Sequence, residues 1–235
     1  MNQHISSAYD RDLEAIQTLV IKMGGMVEDA IIQAAKSLET RDLALAEKVR
    51  AADKQIDALE LQINEEAARI IALRAPVSKD LRAILTVLRI AASMERIGDY
   101  AKNMAKRTAT LVDMPSVDGS DAALRRMAKE VQAMLKDMLD AYLRRDAVLA
   151  EDVRQRDQDV DQMYNALFRE FLTFMMEDPR NITTCMHLHF MAKNVERMGD
   201  LVTNMAEQVI YLVTGEMPEE ARPKDDQTSF VGSAD

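Results

Sequence analysis

Two pairs of acidic residues at helical spacing stand out in this 235-residue chain, and each pair occurs twice. Glu95 and Asp99 recur as Glu196 and Asp200, and Asp53 and Asp57 recur as Asp157 and Asp161. A separation of four puts both carboxylates of a pair on one face of a helix, where they repel by a few tenths of a kcal/mol if solvated. Near a core edge that cost grows, because desolvation disfavours the charged form. A bound cation removes it. Donor sets made only of oxygen favour hard ions such as Mg²⁺, Ca²⁺ or Mn²⁺, with iron also compatible. From spacing alone a solvated acidic face is the better reading, and Arg96 and Arg197 offer ion pairs as a further explanation.

The stripe through positions 81, 85, 88, 92, 95 and 99 reads Leu81, Leu85, Leu88, Ala92, Glu95 and Asp99. Four apolar residues run into two carboxylates on one line of a helix. A second stripe, Ile84, Ala91, Gly98, Ala101 and Ala105, continues past them, so Glu95 and Asp99 belong at the margin of a buried face. In the second copy His189 lies on the stripe leading to Glu196 and is a candidate accessory ligand, with His187 and Cys185 nearby. A packed or solvated histidine is the plainer explanation. No His follows a Glu by three residues, as ferritin-type di-iron sites require. No phosphate loop, dinucleotide fingerprint or nucleophile elbow is present. No catalysis is expected.

The elements that must carry these residues are helices. The chain holds only 7 Gly and 5 Pro, too little punctuation for many short strands. Aromatics are 4% and Trp is absent, so the core must be aliphatic and Met-rich. Periodicity and breakers predict six helical segments, at about 6–39, 42–73, 78–112, 121–143, 146–176 and 181–214. Ala75-Pro76 ends the second, Ser78 is the expected N-cap of the third, and Asp178-Pro179 precedes the last. Residues 113–120 form the linker. Residues 217–235 are polar and aperiodic, and are expected to be an acidic disordered tail.

Internal repetition organises the whole. The segment Glu95-Arg96-x-Gly98-Asp99, with Asn103, Met104 and Ala105, returns as Glu196-Arg197-x-Gly199-Asp200, with Asn204, Met205 and Ala206. The offset is 101 residues, and upstream, from Asp42 to Asp57 against Asp146 to Asp161, it is 104. The expected fold is therefore all-α, two tandem three-helix bundles, residues 1–113 and 121–216, related by an internal pseudo-twofold duplication. Short connections suggest that the second and third helices of each bundle pack antiparallel, an arrangement that would let the two acid pairs of a copy approach each other.

The net charge of −10 argues against general nucleic-acid binding. The lone Cys185 has no internal disulfide partner, which suits a reducing compartment. No signal peptide or membrane span is visible, and a cytoplasmic location is expected.

The segment Val195-Glu196-Arg197-Met198-Gly199-Asp200, followed by Asn204-Met205-Ala206-Glu207 and Tyr211-Leu212-Val213-Thr214-Gly215-Glu216, resembles the PhoU family of phosphate-specific transport accessory proteins. Ala75-Pro76-Val77-Ser78-Lys79-Asp80-Leu81-Arg82 and Glu95-Arg96-Ile97-Gly98-Asp99 extend the resemblance to about residues 6–216. It implies a non-catalytic negative regulator of the phosphate-starvation response and a modulator of phosphate uptake. The implied partners are the sensor histidine kinase of the phosphate two-component system and the ATPase subunit of the phosphate ABC transporter. A homodimer is implied too, with membrane association only through partners. The implied cofactors are divalent or iron-type metal ions, with Mg, Mn, Fe and Zn all open. They would be held by Asp53, Asp57, Glu95 and Asp99 in the first copy and by Asp157, Asp161, Glu196 and Asp200 in the second. The second copy has Asp178-Pro179-Arg180-Asn181-Ile182 where the first has Pro76 to Arg82, so the bundles need not share a partner. A carboxylate-bridged metalloenzyme and a metal-free helical scaffold remain the alternatives.

Overall fold

The computed structural model describes residues 2–218, with side chains for Tyr9 and for residues 11–218. It is all-helical among those residues: α1 (Asn2–Glu39), α2 (Leu43–Arg74), α3 (Lys79–Leu111), α4 (Ser120–Arg144), α5 (Ala147–Gln155), α6 (Asp157–Glu177) and α7 (Ile182–Thr214). Apart from Met217 and Pro218, the expected tail over 217–235 lies outside the described residues.

Local chemistry sets the helix ends. Asp42 caps α2 by accepting from the Leu45 amide, and Asp146 caps α5 by accepting from the Val148 and Leu149 amides. Arg41 gathers the terminal carbonyls of α3, 2.8 Å from Val112 O and 3.0 Å from Met114 O. Ala75 closes α2 in the left-handed region at φ 45, where Pro76 has removed the helical alternative. Ser78 does not cap α3 as the sequence suggested. Its φ is 51 and ψ −113, which turns the hydroxyl away from the first amides, and no side-chain cap bond forms.

The fifth expected segment, 146–176, is broken at Arg156 into α5 and α6. Arg156 reaches across to α4, with Nε 3.0 Å from Glu130 Oε1 and Nη1 2.6 Å from Asp137 Oδ2. The break tightens the chain locally, since the Asp159 amide bonds Arg156 O three residues back. In the first copy α2 runs unbroken through the same register.

The two bundles share one aliphatic core. Ile16, Met23 and Ile31 of α1, Ile56 and Ile63 of α2, Ile90 and Met94 of α3, Met134 of α4 and Met198 of α7 are all buried within it. Antiparallel α3 and α7 form the seam: Arg89 meets Gln208 at 2.9 Å, Arg197 lies over Tyr100, and Arg107 lies over Phe190. Arg125 of α4 ties to Glu39 of α1 at 2.6 Å.

The mid-helix glycines are points of close approach between the second and third helices of each copy. A Cβ at Gly98 would stand 3.1 Å from Ile56 Cδ1 and 3.6 Å from Asp53 Oδ1. A Cβ at Gly199 would stand 3.2 Å from Val160 Cγ1 and 3.7 Å from Asp157 Oδ1. Ile56 Cδ1 is the far end of a flexible chain, whereas a helical Val is held in one rotamer. Gly98→Ala is therefore expected to be close to neutral, its steric cost offset by about 1 kcal/mol of helix propensity. Gly199→Ala is expected to be the more destabilising of the two. Paired thermal melts check this, and equal melting temperatures would contradict it.

Candidate functional site

In the first bundle α2 and α3 bring five carboxylates into one electrostatic neighbourhood. Asp53, Asp57 and Glu60 come from α2, and Glu95 and Asp99 from α3. Asp53 is 3% exposed and lies against the backbone gap at Gly98. Asp57 is exposed, while Glu60, Glu95 and Asp99 are half-buried. Glu60 was not anticipated, although Asp53, Asp57 and Glu60 follow the 4-3 spacing of one helical stripe.

Among the described residues, a lysine is paired with this group. Lys102 Nζ is 2.5 Å from Asp53 Oδ2 and 3.2 Å from Asp99 Oδ1. The two carboxylates hold the ammonium well above its ordinary pKa. Asp53 Oδ1 is buried with no hydrogen-bond partner among the described residues. Burial and the neighbouring carboxylates together raise the pKa of Glu95. Asp57 is raised likewise, by burial first and then by Asp53, with Lys102 opposing. Arg96 and Arg197 make no ion pair among the described residues, so they do not neutralise the acidic faces as spacing alone allowed.

The second bundle uses the same register in drier surroundings. Asp157, Asp161 and Glu196 are buried, at 2%, 3% and 5% exposure, and Asp200 is half-buried. Lys193 Nζ binds Glu196 Oε1 at 2.9 Å and sits 4.9 Å from the centre of the Tyr164 ring. Tyr164 occupies the position of Glu60 after the 104-residue offset, and Thr203 occupies that of Lys102 after the 101-residue offset. The second copy has thus exchanged a carboxylate for an aromatic ring, and its lysine enters from the turn before the Glu instead of after the Asp. His189 packs among the rings of Tyr164, Phe168 and Phe190, at 5.9, 5.3 and 5.8 Å between centroids. Cys185 is buried, and burial pushes its thiol pKa up.

Among the described residues, no three His, Cys, Asp or Glu side chains converge closely enough to hold a metal ion as they are placed. The donor chemistry of the first bundle nonetheless fits a hard cation. It offers oxygen donors only, a buried carboxylate oxygen without a hydrogen-bond partner, and carboxylates whose pKa is raised by burial first and then by neighbouring charge. Lys102 stands where that cation's charge would act.

Comparison with known proteins matches the PhoU domain twice, over residues 20–108 and 124–209. The chain is 45% identical to a "Phosphate-specific transport system accessory protein PhoU homolog" of Rhizobium meliloti, over 98% of this chain and 97% of that protein. A protein of the same description from Caulobacter vibrioides is 43% identical over 97% of this chain and 100% of its own length. Among solved structures, PhoU from Pseudomonas aeruginosa superposes with a TM-score of 0.85 at 38% identity, covering 88% of this chain and 100% of its own. The phosphate transport system regulatory protein PhoU from Streptococcus pneumoniae superposes at 0.83 with 27% identity, covering 90% and 100%.

Two predictions follow from the charge balance. Glu95 and Asp57 hold protons more tightly folded than unfolded. Their ionisation therefore opposes folding, and stability falls as pH rises from the unfolded carboxylate range near about 4 through the raised folded values. In chelator, Glu95→Gln is expected to melt higher than the parent at neutral pH, with the gain vanishing below about pH 4. A lower melting temperature at neutral pH would refute the reading. Lys102→Met strips the buried Asp53 of its cation and is expected to cost about 1–2 kcal/mol in denaturant titrations, discounted for the half-exposed lysine. An unchanged midpoint would show that Asp53 does not depend on Lys102.

Proposed function

The chain belongs to the PhoU family, and on that premise we propose that it is an accessory and regulatory protein of a phosphate-specific transport system. The observation that carries this is identity of 45% to a protein so described, with nearly the whole length of both chains covered. The finer reading is an adaptor. It contacts the ATPase subunit of the phosphate ABC transporter and the sensor histidine kinase of the phosphate two-component system, and it holds the starvation response down when phosphate is plentiful.

Such a role needs surfaces and switching, not turnover. The long, rigid helices suit it, since a shared core transmits displacement between faces better than separate domains do. No helix among the described residues is long and apolar enough to cross a membrane. In this reading the protein is cytoplasmic, reaches the membrane through the transporter, binds no nucleic acid, and acts as a homodimer in which residues 1–113 and 121–216 present different faces.

Metal ions on the acidic helix faces belong to the same reading, with Asp53, Asp57, Glu95 and Asp99 holding one site and Asp157, Asp161, Glu196 and Asp200 the other. The excess of carboxylates over Lys102 in the first bundle supports it. When bound, the ion supplies charge compensation and pins α2 to α3, so the chemistry asked of it is structural. Glu60 joins the first set as a further oxygen donor.

Deletion of the gene is expected to raise alkaline phosphatase expression and phosphate uptake in phosphate-rich medium, and a plasmid copy is expected to restore repression. Unchanged expression and uptake in the deletion strain would overturn the regulatory reading.

A further inference from the structure

One concave surface of this acidic chain is lined by cations and neutral donors. Between α3 and α7 lies an open cleft of about 450 Å³ lined by Asn103, Lys106, Arg107, Thr110, His187 and Asn194. None of these is acidic, although the chain carries a net charge of −10. We propose that this cleft binds a small phosphate-bearing anion.

The cations of the cleft are left unneutralised. Among the described residues neither Lys106 nor Arg107 makes an ion pair. Arg107 is held in place without being neutralised: its guanidinium stacks over Phe190 at 4.5 Å and donates to His187 Nδ1 at 3.1 Å. Arg has no acceptor, so this contact leaves the proton of a neutral His187 on Nε2, as a further donor. The remaining guanidinium donors keep the planar fork that matches phosphate oxygens, and Lys106 adds a mobile point charge. Asn103, Asn194 and Thr110 supply neutral donors. The lining is therefore rich in donors and holds no carboxylate to compete for them.

The duplicated half of the seam lacks this pair. At the 101-residue offset, Lys106 and Arg107 become Glu207 and Gln208. There the positions are consumed by contacts within the fold: Glu207 accepts from Arg154 at 3.3 Å, and Gln208 accepts from Arg89 at 2.9 Å. Bundle packing therefore does not require a cationic pair at this place on the seam. The first copy has it facing a cleft, and the second does not. The size selects the class, because a cleft of this volume falls within the range of small-molecule sites and exceeds one orthophosphate. Orthophosphate and the phosphates of a nucleotide share the recognising chemistry.

The inference is independent of the regulatory reading, since it is tested by binding to the purified full chain. Orthophosphate and ADP are titrated by calorimetry at constant ionic strength in chloride. Saturable binding is expected, and the stronger of the two identifies the source of the phosphate group. Replacing the pair with the residues of the other copy, Lys106→Glu with Arg107→Gln, is expected to weaken binding at least about tenfold. Lys106→Ala, at an exposed position, is expected to weaken it about threefold to fivefold with an unchanged melting temperature, which covers the case of a double variant that does not fold. Absence of saturation for both ligands up to about 10 mM, or equal affinity in the parent and Lys106→Ala chains, would overturn the proposal.

Discussion

The molecule is organised around a carboxylate that the fold presses against a helix backbone. Asp53 sits over Gly98 and Asp157 over Gly199, each nearly excluded from water. A buried carboxylate is costly without compensation, and the cost grows when further acids share its surroundings. The glycines make the approach possible and the aliphatic neighbours Ile56 and Val160 seal it; Lys102 supplies counter-charge to Asp53 directly, whereas Lys193 of the second bundle pairs with Glu196. The register between second and third helices is fixed at these points, and the seam of α3 and α7 runs beside them.

Duplication copied this constraint but not its solution. The first bundle leaves an acidic margin open to solvent, with Lys102 pairing two of its five carboxylates, Asp53 and Asp99. In the second, Tyr164 replaces one acid and Lys193 lies between its ring and Glu196. Arg154 adds a nearly buried cation bridging Glu151 and Glu207. The interruption of the helix at Arg156 comes immediately before Asp157, where the chain must both bury a carboxylate and reach back to α4. The two halves of a pseudo-symmetric protein thus compensate their buried carboxylates differently.

Much of this was legible in the sequence because helical periodicity is local. The 3.6-residue pattern, Ala75-Pro76 and Asp178-Pro179 set six segments, and the paired offsets revealed the duplication. Ser78 misled because a cap depends on backbone geometry as well as residue type, and its positive φ points the hydroxyl elsewhere. The break at Arg156 was hidden because its cause, Glu130 and Asp137, lies on another helix. Glu60 could have been found by extending the stripe from Asp57 by one step. The difference in burial between Asp57 and Asp161 could not, since both sit in similar local patterns and differ in what packs over them.

The central claim is that the acidic margin of the first bundle carries charge that a hard cation relieves. It is tested most directly by titrating the metal-stripped full chain with Mn²⁺ and following free Mn²⁺ by electron paramagnetic resonance. Saturable loss of the free-ion signal is expected, reversed by excess Mg²⁺, with the capacity contributed by the first bundle lost when Asp57→Asn and Glu95→Gln are combined. A free-ion signal that tracks added Mn²⁺ throughout, or binding that survives those two substitutions intact, would contradict it.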